Sequence, residues 1–294
     1  RVTGSWLGSD DVTTLLLTGG TATIYSGTMG DVTGASIYLK NGGMATVTGA
    51  SVVFNGGNTR QSMYGGLFGA LASVNAEAAA PYARAMSRGG YATATTENGV
   101  AIARANKNVV AIKTGTPREV VGGTSSAMTN GSAGTDEKAL NIAEANENSV
   151  VMDAGRTTSL WGGYAYASPA NGIGSAQTSA SGNKVTVNGS AAVSGTVYGG
   201  FTDVANGKAT RNEVTVDKAI AGAVVGGKAR GEASGNTVTI KANTGAVTGG
   251  EGAITNNNTV NLEGASVNGT ITGGTQADGT GNTLNVAGTN TAAN

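Results

Sequence analysis

In the second half of the chain, apolar and polar positions alternate in short bursts that each follow an asparagine, as in Val185-Thr186-Val187, Val214-Thr215-Val216 and Val238-Thr239-Ile240. A period of two predicts strands with one buried face. The bursts start from Asn108, Asn148, Asn183, Asn212, Asn236, Asn258 and Asn282, with apolar side chains two and four residues on: Val110/Ile112, Val150/Met152, Val185/Val187, Val214/Val216, Val238/Ile240, Val260/Leu262 and Leu284/Val286. About fourteen residues after each Asn except Asn282 comes a Gly-Gly pair, beginning at Gly122, Gly162, Gly199, Gly226, Gly249 and Gly273. Two residues before the first glycine the side chain is apolar in every copy, at Val120, Leu160, Val197, Val224, Val247 and Ile271, and earlier at Met63. Alternation then predicts a second strand with these residues inward and the next residue outward. Three residues before the Asn sit Ala105, Ala145, Ala180, Ala209 and Ala233, small inward residues expected at a tight corner of a third, shorter strand.

Recurrence at this spacing marks a repeat array in which each unit buries its apolar face against its neighbours. The shortest Asn-to-Asn spacings, 29, 24, 22 and 24 residues, are too short for a four-stranded propeller blade but fit three short strands and three corners. The expected fold is therefore all-β, a single-stranded parallel β-helix (β-solenoid) with about three strands per coil and coils of about 22–40 residues. At one strand spacing of about 4.8 Å per coil, ten to twelve coils make a rod roughly 50 Å long. Gly-Gly is expected at sharp corners because glycine takes positive φ without steric cost. Stacked Asn residues are expected to bond to the Asn above and below, forming a ladder.

Residues 1–66 read as a β-rich, Gly-rich segment of early coils, with near-copies of Val-Thr-Gly-Ala-Ser at 32–36 and 47–51. Residues 67–107 read as an Ala-rich insertion or a degenerate coil. Ala78-Ala79-Ala80-Pro81 suits a short helix broken at the proline, whereas Asn75, fourteen residues before Gly89-Gly90, suits a coil. Residues 108–294 carry the regular repeats.

Composition fits a long, thin, Val/Ala-rich core: 294 residues, 50 Gly, 3 Pro, 12% charged, 4% aromatic and 39% hydrophobic. Zero formal net charge and the absence of a basic stripe give no support for nucleic acid as a partner. With no Cys and no His, the chain lacks disulfides, thiolate metal sites, and both the commonest metal ligand and the commonest general base. No run of 18 apolar residues predicts a spanning helix, and the residues after Arg1 do not read as a signal peptide. The sequence reads as a mature or excised segment of something longer.

Segments such as Gly182-Asn-Lys-Val-Thr-Val-Asn-Gly189 and Val193-Ser-Gly-Thr-Val-Tyr-Gly-Gly200, with Gly-x-Ala-x-x before the next Asn-x-Val-x-Val, resemble the repeats of passenger regions in bacterial autotransporter adhesins. The resemblance covers about residues 108–286. It implies a right-handed β-helix at the outer surface of Gram-negative bacteria, used for adhesion, aggregation and biofilm contact. The family's C-terminal outer-membrane barrel is not legible in this sequence.

Candidate chemistry is sparse. Carboxylates cluster at Asp10-Asp11, Asp136-Glu137 and Glu144 with Glu147, while Asp203, Asp217 and Asp278 are scattered. They do not fall at equal repeat offsets, as a β-helix polysaccharide enzyme would require. Gly273-Gly-Thr-Gln-Ala-Asp278 lacks the third glycine of the calcium nonapeptide and occurs once. No catalytic, cofactor or metal site is expected. The Thr column at Thr186, Thr215 and Thr239 gives way to Asn261 and Asn285, which argues against an ice-binding face.

The sharpest feature is aromatic. Residues before Gly-Gly include Tyr64, Trp161 and Tyr198, and residues after it include Tyr164, Tyr166 and Phe201. This column faces outward by alternation. It is a candidate binding stripe for glycans, proteins or a neighbouring protomer, or else a small satellite core under loops. Uncapped terminal coils would add edges open to another chain. The reading is a non-enzymatic extracellular adhesin, with a self-assembling filament subunit as the alternative and a polysaccharide-active β-helix enzyme third.

Overall fold

The structure, a computed structural model, describes residues 2–9, 14–29, 32–39, 43–59, 86–96, 100–129, 140–168 and 175–293, and every structural statement below concerns these. They form strands and turns without any helix. One nine-stranded sheet, here sheet A, contains β1 (Val2–Ser9), β5 (Val32–Leu39), β8 (Met86–Thr96), β11 (Glu119–Thr129), β14 (Ser159–Ser168), β17 (Val197–Thr202), β19 (Val224–Ala229), β21 (Val247–Glu251) and β24 (Ile271–Gly274), in that order. Sheet B, five-stranded, runs β2 (Thr14–Thr18), β6 (Gly43–Thr48), β9 (Val100–Asn106), β12 (Leu140–Glu144) and β15 (Ser175–Ser179). Sheet C runs β3 (Thr21–Ile24), β7 (Ser51–Thr59), β10 (Val109–Thr116), β13 (Ser149–Thr157), β16 (Lys184–Val193), β18 (Glu213–Val216), β20 (Thr237–Ile240), β22 (Thr259–Glu263) and β25 (Thr283–Ala287), with β4 (Thr28–Met29) beside β7. A two-stranded sheet pairs β23 (Ser266–Asn268) with β26 (Thr291–Ala293). All pairings are parallel.

Consecutive strands visit the sheets in turn, and each strand pairs with its equivalent one repeat away, as a parallel β-helix requires. The registers superimpose the sequence repeat on itself: Val185↔Val214, Val214↔Val238 and Val238↔Val260 in sheet C, and Leu160↔Val197, Val197↔Val224 and Val224↔Val247 in sheet A. Apart from Met63, which lies outside the described residues, the side chains expected inward from both strands are buried through Leu262 and meet in one apolar cluster. A second cluster, mostly alanine, lies between sheets A and B, and includes Ala103, Ala105, Ala127, Ala143, Ala145, Ala165, Ala167 and Ala180.

The Gly-Gly pair divides the two clusters. In β14, Leu160 belongs to the Val-rich cluster and Ala165 to the alanine cluster, with buried Gly162 and Gly163 between them. These glycines are not among those with positive φ, so conformational freedom is not what the position demands, and that part of the corner expectation is corrected. The reason is close approach. A Cβ on the first glycine would collide with the carbonyl oxygen of its counterpart one repeat on and with an Asn Cβ, for Gly162 those of Gly199 and Asn183. One on the second would strike the carbonyl of the corner alanine, Ala145 for Gly163 and Ala180 for Gly200.

The Asn column opposite is the expected ladder. Asn108, Asn148, Asn183, Asn212, Asn236 and Asn258 are buried, and each donates its backbone N–H and its Nδ2 to the Oδ1 of the next Asn, at 2.9–3.1 Å. Gly-Gly on one side and Asn on the other thus form a polar waist.

The left-handed turn residue is the one before the Asn. Lys107, Glu147, Arg211 and Asn257 have φ of 57°, 56°, 56° and 54°, and Gly182, Gly235 and Gly281 take the same role in the other repeats. Two residues before the Asn, a second polar column runs in the opposite sense. The N–H groups of Asn146, Ser181 and Thr210 donate to the side-chain oxygens of Asn106, Asn146 and Ser181, each one repeat earlier.

Candidate functional site

Outward residues of sheet A form columns. One runs Val121, Trp161, Tyr198, Val225, Thr248, Thr272, and a second Thr124, Tyr164, Phe201, Lys228, Glu251. Alternation on either side of the glycines brings four rings together on two adjacent strands. Trp161 stacks on Tyr198 at 6.2 Å between centroids and 8° between planes, and Tyr164 on Phe201 at 5.6 Å and 16°. Tyr198 meets Phe201 edge to face at 5.4 Å, within the range where aromatic pairs attract beyond their area burial.

All four rings are half-buried, as is Tyr166 further along β14. Tyr64 lies outside the described residues. Flanking aliphatic positions of the same column are covered, with Val121 1% and Val225 6% exposed. The stripe of the sequence is therefore a compact patch two strands wide, packed within itself and open along part of its surface.

Charged groups border the patch on its C-terminal side. Lys228, in register with Phe201, binds Glu251 at 2.6 Å, and Arg230 lies 3.9 Å from Asp203. The hydrogen bond to Glu251 holds the Lys228 ammonium above the ordinary lysine value against the opposing effect of burial, and the charges of Glu251, Tyr198 and Asp203 add to it.

Similar pairs join adjacent repeats elsewhere: Arg104–Glu144, Lys107–Glu147, Lys113–Asp153, Lys184–Glu213, Lys208–Glu232 and Asp217–Lys241. Hydrogen bonds from Lys113 and Asn188 hold the Asp153 carboxyl below the ordinary carboxylate range. Many carboxylates that looked scattered in the sequence thus face a cation one repeat away. The signal was present, since Lys184 and Glu213, or Lys228 and Glu251, fall at equal offsets from their Asn or Gly-Gly markers, but it emerges only when cations and anions are aligned together. Asp10-Asp11 and Asp136-Glu137 lie outside the described residues. Among the described residues no group of three or more Asp or Glu side chains could hold a metal ion, and no helix is long and apolar enough to cross a membrane.

No family model, curated protein or solved structure matches the chain.

Proposed function

We propose that this chain is a non-enzymatic extracellular adhesion protein of the autotransporter-passenger kind, displayed at the surface of a Gram-negative bacterium. In this reading the strands form one right-handed solenoid of about three strands per coil. The parallel registers support this, as does the strong right-handed preference of parallel crossovers. The observation that carries the functional reading is the aromatic patch, Trp161, Tyr164, Tyr198 and Phe201, half-exposed on a repeat surface otherwise rich in Thr, Asn and paired charges. Half-open rings beside polar groups suit contact with glycans or proteins of a neighbouring cell.

The test is adhesion of the purified chain to cells and immobilised glycans, with Trp161→Ala and Tyr198→Ala compared against wild type after a melting curve has verified folding. Loss of adhesion with the fold retained is the expected result. Undiminished adhesion of the folded variants would remove the patch from the reading, and cleavage of a polysaccharide by the chain would overturn its non-enzymatic part.

A further inference from the structure

Two of the ion pairs that join adjacent repeats border the aromatic patch on sheet A. The column that carries Tyr164 and Phe201 continues, strand by strand, to Lys228 and then Glu251, and Arg230 and Asp203 face each other beside it. A path along the stacking direction therefore runs from rings to a cation and on to a carboxylate, advancing about 4.8 Å per strand.

Pairing does not exhaust these polar groups. Lys228 and Glu251 are 35% and 39% exposed, Arg230 and Asp203 67% each, and the Arg230–Asp203 contact is open at 3.9 Å. The cations keep N–H donors and the carboxylates keep acceptor lone pairs for a ligand. Two positive and two negative charges cancel, so the border offers donors and acceptors without a net charge.

The rings set the shape. Trp161 lies nearly parallel to Tyr198 and Tyr164 to Phe201, but Tyr198 stands at 73° to Phe201, so the two pairs meet as a corner rather than a flat floor. Val121 and Val225, the aliphatic neighbours in the ring column, are already covered. A protein partner would strip water from both ion pairs, a cost that attraction within a pair only about balances, and would find no aliphatic floor to offset it. A sugar ring combines apolar C–H faces with a rim of hydroxyls, each able to donate and to accept, and so replaces that water group for group.

Resting on the adhesin reading of the patch, we propose that its ligand is an uncharged glycan chain lying along the stacking direction, with one sugar in the corner of Tyr198 and Phe201 and the hydroxyls of the next on Lys228 and Glu251. An acidic glycan gains nothing from this border, because Glu251 and Asp203 face it together with the cations. Neutrality of the ion pairs is thus the specificity determinant, and the rings supply the contact area.

The test presents the intact chain to immobilised neutral hexose oligosaccharides and uronic-acid oligosaccharides of equal length. Wild type is compared with Phe201→Leu, which keeps apolar volume without a ring, and with Glu251→Gln, which leaves Lys228 uncompensated, after melting curves have verified folding. The expected result is saturable binding of neutral chains alone, weakened at least about tenfold by either substitution, with uronic-acid chains bound only by Glu251→Gln. Equal or preferential binding of uronic-acid chains by wild type would overturn the uncharged class, and neutral binding undiminished in Phe201→Leu would overturn the placement. If no neutral chain binds while adhesion to cells is still lost in Trp161→Ala, the glycan proposal falls and the adhesin reading stands with a protein partner; if adhesion is indifferent to Trp161→Ala, the reading of the patch falls as well.

Discussion

The repeats before β15 and those after it share one waist but not one cross-section. Between Asn108 and Asn183 the repeats span 40 and 35 residues and enclose both apolar clusters, Val-rich and alanine-rich. Beyond Asn183 the spacing falls to 29, 24, 22 and 24 residues and sheet B ends. It is succeeded by single bridges joining Ser179, Lys208, Glu232 and Ile254. The alanine cluster ends with it. Gly-Gly against Asn persists throughout, and so does the corner alanine through Ala233. What the two regions have in common is therefore the polar, glycine-lined constriction, while the greasy compartments on either side are adjustable. Length can be added or removed beyond the waist without disturbing the registry through it.

The severest test substitutes the waist in each region. Gly163→Ala in a wide repeat and Gly227→Ala in a narrow one both drive a methyl into a backbone carbonyl, of Ala145 and Ala209 respectively, where nothing flexible can yield. Each is expected to cost roughly 4 kcal/mol or more in denaturant unfolding, or to prevent folding. A mild effect at Gly163 alone would show that the second compartment lets the wide repeat relax, and would break the equivalence.

Next in size are Asn148→Ala and Asn236→Ala. Each strips an acceptor from two buried donors, the backbone N–H and Nδ2 of Asn108 or Asn212, and is expected to cost about 3 kcal/mol. Amide exchange reads this locally, with Asn108 or Asn212 N–H accelerated first. Because the narrow repeat has only one apolar cluster to hold it, opening should spread further along the stack from Asn236 than from Asn148.

A smaller effect of opposite sign comes from the left-handed position. Glu147→Gly in the wide region and Arg211→Gly in the narrow one relieve a non-glycine residue at positive φ, and each should stabilise by roughly 0.5–1 kcal/mol. A destabilisation at Glu147 alone would assign real weight to its exposed pairing with Lys107 at 3.6 Å.

The smallest contrast is in pH. Asp153 is held below the ordinary carboxylate range in its folded surroundings, so its pairing with Lys113 and Asn188 contributes above the unfolded pKa and is lost as acid carries the pH down through the folded one. Lys228 is held above the ordinary lysine value, so its pairing with Glu251 contributes fully below the unfolded pKa and is lost as alkali carries the pH up through the folded one. Both pairs are partly exposed, and each is worth about 0.5 kcal/mol. Melting temperatures of Asp153→Asn and Lys228→Met against wild type should converge with it in acid for the first and in alkali for the second.

Much of this organisation could be read from residue spacing. The Asn bursts placed sheet C and the ladder, and the residue two before Gly-Gly placed sheet A, because alternation and an invariant offset leave little freedom in a parallel stack. The role of Gly-Gly was not legible, since a sequence does not reveal which backbone passes close to a glycine. The left-handed residue escaped as well. Gly182, Gly235 and Gly281 marked it, but Lys107, Glu147 and Arg211 interrupt the column, and only burial of the following Asn compels those residues into the conformation. For the candidate surface, the sequence supplied an outward column but not the covering of Val121 and Val225, which depends on what packs over them rather than on their own strand.

The two polar columns beside the corner point opposite ways, and this bears on how long such a stack can grow. A row of amides bonded in one sense sums its dipoles with every unit added, as an α-helix does, and leaves partial charge at both ends. Here the Asn ladder donates toward the C-terminus and the column two residues earlier donates toward the N-terminus, so a repeat that carries both adds opposed moments that partly offset. Opposition of the two columns thus limits, repeat by repeat where both are present, the axial moment that a one-way ladder would accumulate.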